Sequence, residues 1–197
     1  NNFSLTANSY TDLAGNAGPS ETTANYEVET RAPTVSSVAI TGAGIQNNFL
    51  NAGDNVSVTV TFRESVIVDN ASGTPTLTLV VGTINPKATY TSGSGGTTMV
   101  FRYTIQAGET DDNGISIGAN VLALDNGTIS DPAGNNATLT HSAVSDNSSY
   151  KVDTTPPTVS SVAITSATGI QNNLLNAGDN VSVIVKLSTV GAVVSTM

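Results

Sequence analysis

Asn55-Val56-Ser57-Val58-Thr59-Val60-Thr61-Phe62 is the stretch on which the fold turns. Val56, Val58, Val60 and Phe62 alternate with Ser57, Thr59 and Thr61. Successive Cβ atoms of an extended chain point to opposite faces, so this period of two predicts a strand with one side buried. Moving outward, Leu77, Leu79 and Val81 alternate with Thr76 and Thr78, and Met99, Phe101, Tyr103 and Ile105 form a third alternating run. Shorter strands are predicted over 35–40, 65–68, 87–91, 115–117, 121–124, 137–141 and 149–152. Nowhere does an apolar pattern hold a period of 3.6 for three turns.

Turn signals separate these runs. Ser92-Gly93-Ser94-Gly95-Gly96 reads as a hairpin loop. Asn126-Gly127 reads as a type I′ turn, whose two central residues need positive φ. Ala133-Gly134-Asn135 reads as a turn with Gly134 in the left-handed region. Many short strands with frequent turns in about 120 residues predict an all-β fold, an immunoglobulin-like antiparallel β-sandwich.

Composition agrees. Hydrophobic residues make up 38% of the chain but aromatics only 5%, with no Trp, so the core is built from aliphatic side chains. Many of these are β-branched and suit pleated sheets. The net charge is −9, from 15 acids against 6 bases. Such a surface repels phosphate backbones and anionic lipid, so neither nucleic acid nor a membrane surface is an expected partner. With no Cys, disulfides, thiolate metal sites and a Cys nucleophile are excluded. No apolar run approaches the roughly 20 residues of a membrane-spanning helix. The opening Asn1-Asn2-Phe3, without Met, is read as excision from something longer.

The chain also repeats itself. Pro33-Thr34-Val35-Ser36-Ser37-Val38-Ala39-Ile40-Thr41 recurs from Pro157 to Thr165, a shift of 124. Gly44-Ile45-Gln46-Asn47-Asn48 recurs from Gly169, and Asn51-Ala52-Gly53-Asp54-Asn55-Val56-Ser57-Val58 from Asn176, both with a shift of 125. One residue has therefore been inserted between the blocks. Asp12-Leu13-Ala14-Gly15-Asn16 matches Asp131-Pro132-Ala133-Gly134-Asn135, and Tyr26-Glu27-Val28-Glu29-Thr30 matches Tyr150-Lys151-Val152-Asp153-Thr154. The reading is three pieces: residues 1–32 as the C-terminal part of one repeat, 33–156 as a complete repeat, and 157–197 as the N-terminal part of a third. The third diverges from position 186, where Thr61-Phe62-Arg63-Glu64 becomes Lys186-Leu187-Ser188-Thr189. Pro33 at one boundary and Pro156-Pro157 at the other predict short, stiff linkers.

These motifs, D-x-A-G-N followed by Y-x-V-D-T-T-x-P-T-V and then G-I-Q-N-N-x-L-N-A-G-D-x-V-S-V, resemble the bacterial Ig-like tandem repeats of large surface adhesins. Biofilm-associated and RTX-type adhesins are among them. The resemblance runs to about Val185. It implies secretion, display on the cell surface, long arrays, a role as structural extender, and calcium at repeat boundaries. Homotypic association through the incomplete flanking repeats, and recognition of a glycan or partner protein by a loop, are the other expected roles.

Calcium takes six to eight oxygen ligands from carboxylates, carbonyls and amides. The candidate ligands are Asp131, Asn135 and Asp153, brought together if the last hairpin joins turn and boundary. Asp12, Asn16 and Glu29 form the equivalent set upstream. There Arg31 replaces Thr155 and sets a positive charge beside any ion. Asp111 and Asp112 form a further acidic turn, where a cation would relieve repulsion. The competing reading is that these side chains bond their own backbone and cap turns. Turn capping is the expected role of Asp54 and Asp179. No catalytic role is expected. His141 is the only His, no G-x-S-x-G elbow accompanies it, and no Trp offers a sugar platform.

Overall fold

The computed structural model describes residues 2–25 and 27–188. In the leading piece, β1 (Ser4–Leu5) and β2 (Glu21–Thr22) pair antiparallel. The middle unit opens with β3 (Val35–Ala43), β4 (Phe49–Leu50), β5 (Asn55–Asp69), β6 (Thr76–Thr78) and β7 (Lys87–Ser92). It continues with β8 (Gly96–Thr104), β9 (Thr110–Asp111), β10 (Leu122–Ala123), β11 (Thr128–Ser130) and β12 (Lys151–Asp153). β13 (Thr158–Thr168) and β14 (Asn180–Ser188) form the trailing piece. No described residue is helical.

The middle unit is an immunoglobulin-like β-sandwich. Its larger sheet runs β10-β6-β7-β8-β5-β11, with β3 also on β5. β5, 15 residues long, carries this sheet. Its first half takes β3 on one edge and β8 on the other, and its last residues take β11. The smaller sheet is β4-β12-β9, with β12 parallel to β4 and antiparallel to β9. The alternation read at 56–62 does what it predicts: Val56, Val58, Val60 and Phe62 point into the core. There they join Leu77, Met99 and Phe101 from the same sheet, Leu50 and Val152 from the smaller sheet, and Leu79, Ile115 and Ile117 from the connecting segments. Tyr90 meets Phe101 edge-on, with ring centroids 5.9 Å apart.

Three local readings need correction. Residues 56–62 and 65–68 belong to one continuous β5, which absorbs the interruption as a register shift between Thr61 and Val66. The segments 115–117 and 137–141 make only isolated bridges, Val80 to Ser116, Ile117 to Val144 and Thr34 to Thr138. The type I′ turn falls one residue early. Asp125 and Asn126, at φ 46° and 71°, are its central residues, and Gly127 N–H closes it onto Leu124 O. Gly127 serves a different need: a Cβ there would lie 2.4 Å from Gly73 O.

The trailing piece reproduces the middle unit's first strand pair. Val159 stands opposite Leu187, Val162 opposite Val185 and Ile164 opposite Val183, as Val35 stands opposite Phe62, Val38 opposite Val60 and Ile40 opposite Val58. Both ladders shift at matching places, between Val35 and Ser37 and between Val159 and Ser161. The β13–β14 ladder shifts again between Ile164 and Ser166. The inserted residue that changes the repeat shift from 124 to 125 is thus taken up as a bulge. Turns match too. Asn47 and Asn48, like Asn172 and Asn173, have positive φ and link paired N–H and C=O groups of Gln46 with Phe49, and of Gln171 with Leu174. β14 continues through Ser188, past the divergence at 186, because Leu187 can stand where Phe62 does. The rest of the divergent tail, 189–197, lies outside the described residues.

Candidate functional site at the repeat boundaries

The D-x-A-G-N turns are closed by their own side chains. Asp131 Oδ1 accepts the backbone N–H of Asn135 and Oδ2 its side-chain amide, each at 2.8 Å. Gly134, at φ 93°, donates its N–H to Asp131 O. Asp12 and Asn16 repeat the arrangement at 2.9 and 2.8 Å, with Gly15 at φ 87°. The amide of Asn135 holds the Asp131 carboxyl below the usual carboxylate range, and that of Asn16 does the same for Asp12; backbone N–H groups add to both.

The linker acids act in the same manner. Asp153 Oδ1 accepts the N–H of Thr155 at 2.9 Å, and Glu29 Oε1 that of Arg31 at 2.5 Å. Each folds its linker back on itself two residues on. In the second acidic turn, Asp111 is buried and accepts N–H groups from Gly114 at 2.7 Å and Gly82 at 2.9 Å. Its neighbour Asp112 is exposed. The capping read for Asp54 and Asp179 is present: each accepts the N–H three residues back, from Asn51 at 2.7 Å and Asn176 at 2.6 Å.

The expected grouping of Asp131, Asn135 and Asp153 is not assembled. Ser130 pairs with Ile67 near the C-terminal end of β5, so the Asp131 turn lies there. Asp153 lies by Asp54, just before β5 begins, where both line a small cavity of about 120 Å³ with Asn51 and Gln46. Most of a strand rising about 3.3 Å per residue separates the two. Instead, the Asn135 amide reaches back to the incoming linker, donating to Glu29 O at 3.3 Å. Thr138 N–H adds a bond to Pro33 O at 2.8 Å. Among the described residues, no three or more His, Asp or Glu side chains are grouped so as to hold a metal ion.

Thr154 was not singled out from the sequence. Its Oγ1 accepts Gly108 N–H and donates to Glu109 O, both at 2.9 Å, which fastens the outgoing linker to the turn after β8. The signal was available, since Thr30 occupies the same place in the duplicated block. The side chain of Glu109, itself buried, accepts the Tyr103 hydroxyl and, at 2.9 Å, Gln106 N–H. His141 is only 8% exposed. Its Nε2 accepts Val121 N–H at 3.0 Å, and Nδ1 lies 2.9 Å from Ser142 O, which fits the neutral ring protonated at Nδ1. Asn120 Oδ1 accepts His141 N–H at 2.9 Å. The ring joins two loops, with both nitrogens occupied.

These features define a class: an all-strand sandwich whose inlet and outlet are each tied down by side chains that recur in neighbouring copies. No protein family, curated protein or solved structure matches the chain. No described helix is long and apolar enough to cross a membrane.

Proposed function

We propose that the chain is a stretch of a tandem-repeat extender from a bacterial cell-surface adhesin, working outside the cell. Its task is mechanical rather than catalytic: stacked sandwiches hold a distal binding region away from the surface. The observation that carries this reading is the ladder of β13 and β14, which repeats that of β3 and β5, apart from one added bulge, beyond a proline-bearing linker. The ties at Glu29, Pro33 and Thr154 support it, since an extender needs linkers that do not swing freely.

A second reading adds calcium at the outgoing boundary. It rests on Asp54 and Asp153 lining one cavity with Asn51 and Gln46, four oxygen-bearing side chains of the kind calcium takes. Small-angle scattering of two complete repeats, with calcium and with chelator, tests both. An extended profile in both conditions supports a spacer stiffened by hydrogen bonds alone. An extended profile only with calcium supports the metal as well. A flexible profile in both conditions sinks the extender.

A further inference from the structure

We propose that the groove between β3 and residues 140–144 is a docking site for an extended, uncharged peptide strand of a partner protein. β3 pairs with β5 alone, so its other edge offers backbone N–H and C=O groups that no ladder uses. The segment facing it is tied down at both ends, Thr138 to Thr34 and Val144 to Ile117. Between those ties no hydrogen bond joins residues 35–38 to residues 140–144. The N–H of Ser142 and both backbone groups of Thr140 and Ala143 have no backbone partner among the described residues. The free edge of β3 and a loop with unpaired N–H and C=O groups at Thr140, Ser142 and Ala143 thus line one open groove of about 510 Å³.

The groove suits a strand in size and charge. A residue within a sheet takes up about 160 Å³, from a 3.3 Å rise, a 4.8 Å strand spacing and a 10 Å sheet spacing. The space therefore holds about three residues. None of its lining residues is Asp, Glu, Lys or Arg, although the chain carries a net charge of −9. Val35, Val38 and Val144 meet alternate side chains of the guest, and Ser37, Thr140 and Ser142 add hydroxyls. The far wall is pre-formed, because His141 and Asn120 pin it to the neighbouring loop. Main-chain bonds supply affinity in such strand addition and the side-chain pockets supply selection. A three-residue contact is weak alone, and it strengthens where a partner engages several repeats together.

The test is a titration of the isotope-labelled full chain with synthetic Ac-Thr-Val-Ser-Val-Thr-NH2, read by amide chemical shifts. The expected result is saturable change confined to residues 35–38 and 140–144, with a Kd on the order of 1 mM. An all-aspartate pentapeptide is expected to produce none. Ser142→Arg, at an exposed position on the groove wall, is expected to weaken binding about tenfold or more by filling the groove. No shift at millimolar peptide, shifts elsewhere on the sandwich, or full retention of binding in S142R would each overturn the proposal.

Discussion

The carboxylate of Asp131 accepts both the backbone N–H and the side-chain amide of Asn135, each at 2.8 Å. These bonds favour the ionised form, so the carboxyl titrates below its ordinary value of 3.8. A group whose folded pKa is depressed stabilises the fold above its unfolded pKa and loses that contribution as pH falls through the folded one. Asp131→Asn sets an amide against the amide of Asn135. It is expected to lower the melting temperature at pH 7, and the gap from the natural chain is expected to close below about pH 3.8. Thermal unfolding of both proteins across pH 2–7 checks this; a gap that does not change with pH would show that the charge on Asp131 is not what holds the turn.

Tyr103 and Glu109 give the opposite limb. Loss of hydration and the hydrogen bond to Glu109 push the tyrosine well above its ordinary value of 10.0. A raised folded pKa contributes stability below the unfolded value, and that contribution is lost as pH rises past it. Tyr103→Phe leaves a buried carboxylate oxygen without its hydroxyl and is expected to cost about 1 kcal/mol at neutral pH. The cost is expected to shrink above pH 10, as measured by urea unfolding at pH 7 to 11. Equal costs throughout would refute the link.

Gly127 and Gly134 separate two reasons for glycine. A Cβ on Gly127 collides with Gly73 O and lies 3.0 Å from Asp69 O, whereas one on Gly134 meets nothing within 4 Å but sits at φ 93°. Gly127→Ala is expected to cost about 1–3 kcal/mol by overpacking. Gly134→Asn is expected to be tolerated better than Gly134→Val, because Asn enters the left-handed region readily and a β-branched residue does not. Denaturant midpoints of the three variants decide the matter.

His141→Phe keeps an aromatic ring but removes the acceptor for Val121 N–H. Leaving that donor unpaired is expected to cost about 1–3 kcal/mol. Hydrogen exchange at Val121 is expected to quicken in the variant while amides in the centre of β5 stay protected. Unchanged exchange at Val121 would remove the loop-joining role of the ring.

Strands that bury every second side chain were legible in the sequence, because alternation at 56–62 and 99–105 reports the core directly. That β13–β14 would resemble β3–β5 was legible from the duplicated blocks, although which strands pair was not. The segment 137–141 was not, because it is held by His141, Asn120 and the single bridge of Thr138 to Thr34 rather than by a ladder. The I′ turn was misplaced by one residue because Gly127 is required for close approach to Gly73, not for its φ. For the boundary acids, spacing correctly joined Asp131 with Asn135, four residues on. It could not tell which end of β5 each acid reaches, since that depends on where β11 and β12 pair.

The inlet at Pro33 sits beside the middle of β5, where Arg63 N–H meets Thr34 O, and the outlet at Asp153 lies by Asp54 at the start of β5. A pull on the two linkers therefore drags β3 lengthwise along the ladder it makes with β5. Loaded along their length, the bonds between neighbouring strands must yield together, whereas strands peeled apart from one end would give way one bond at a time.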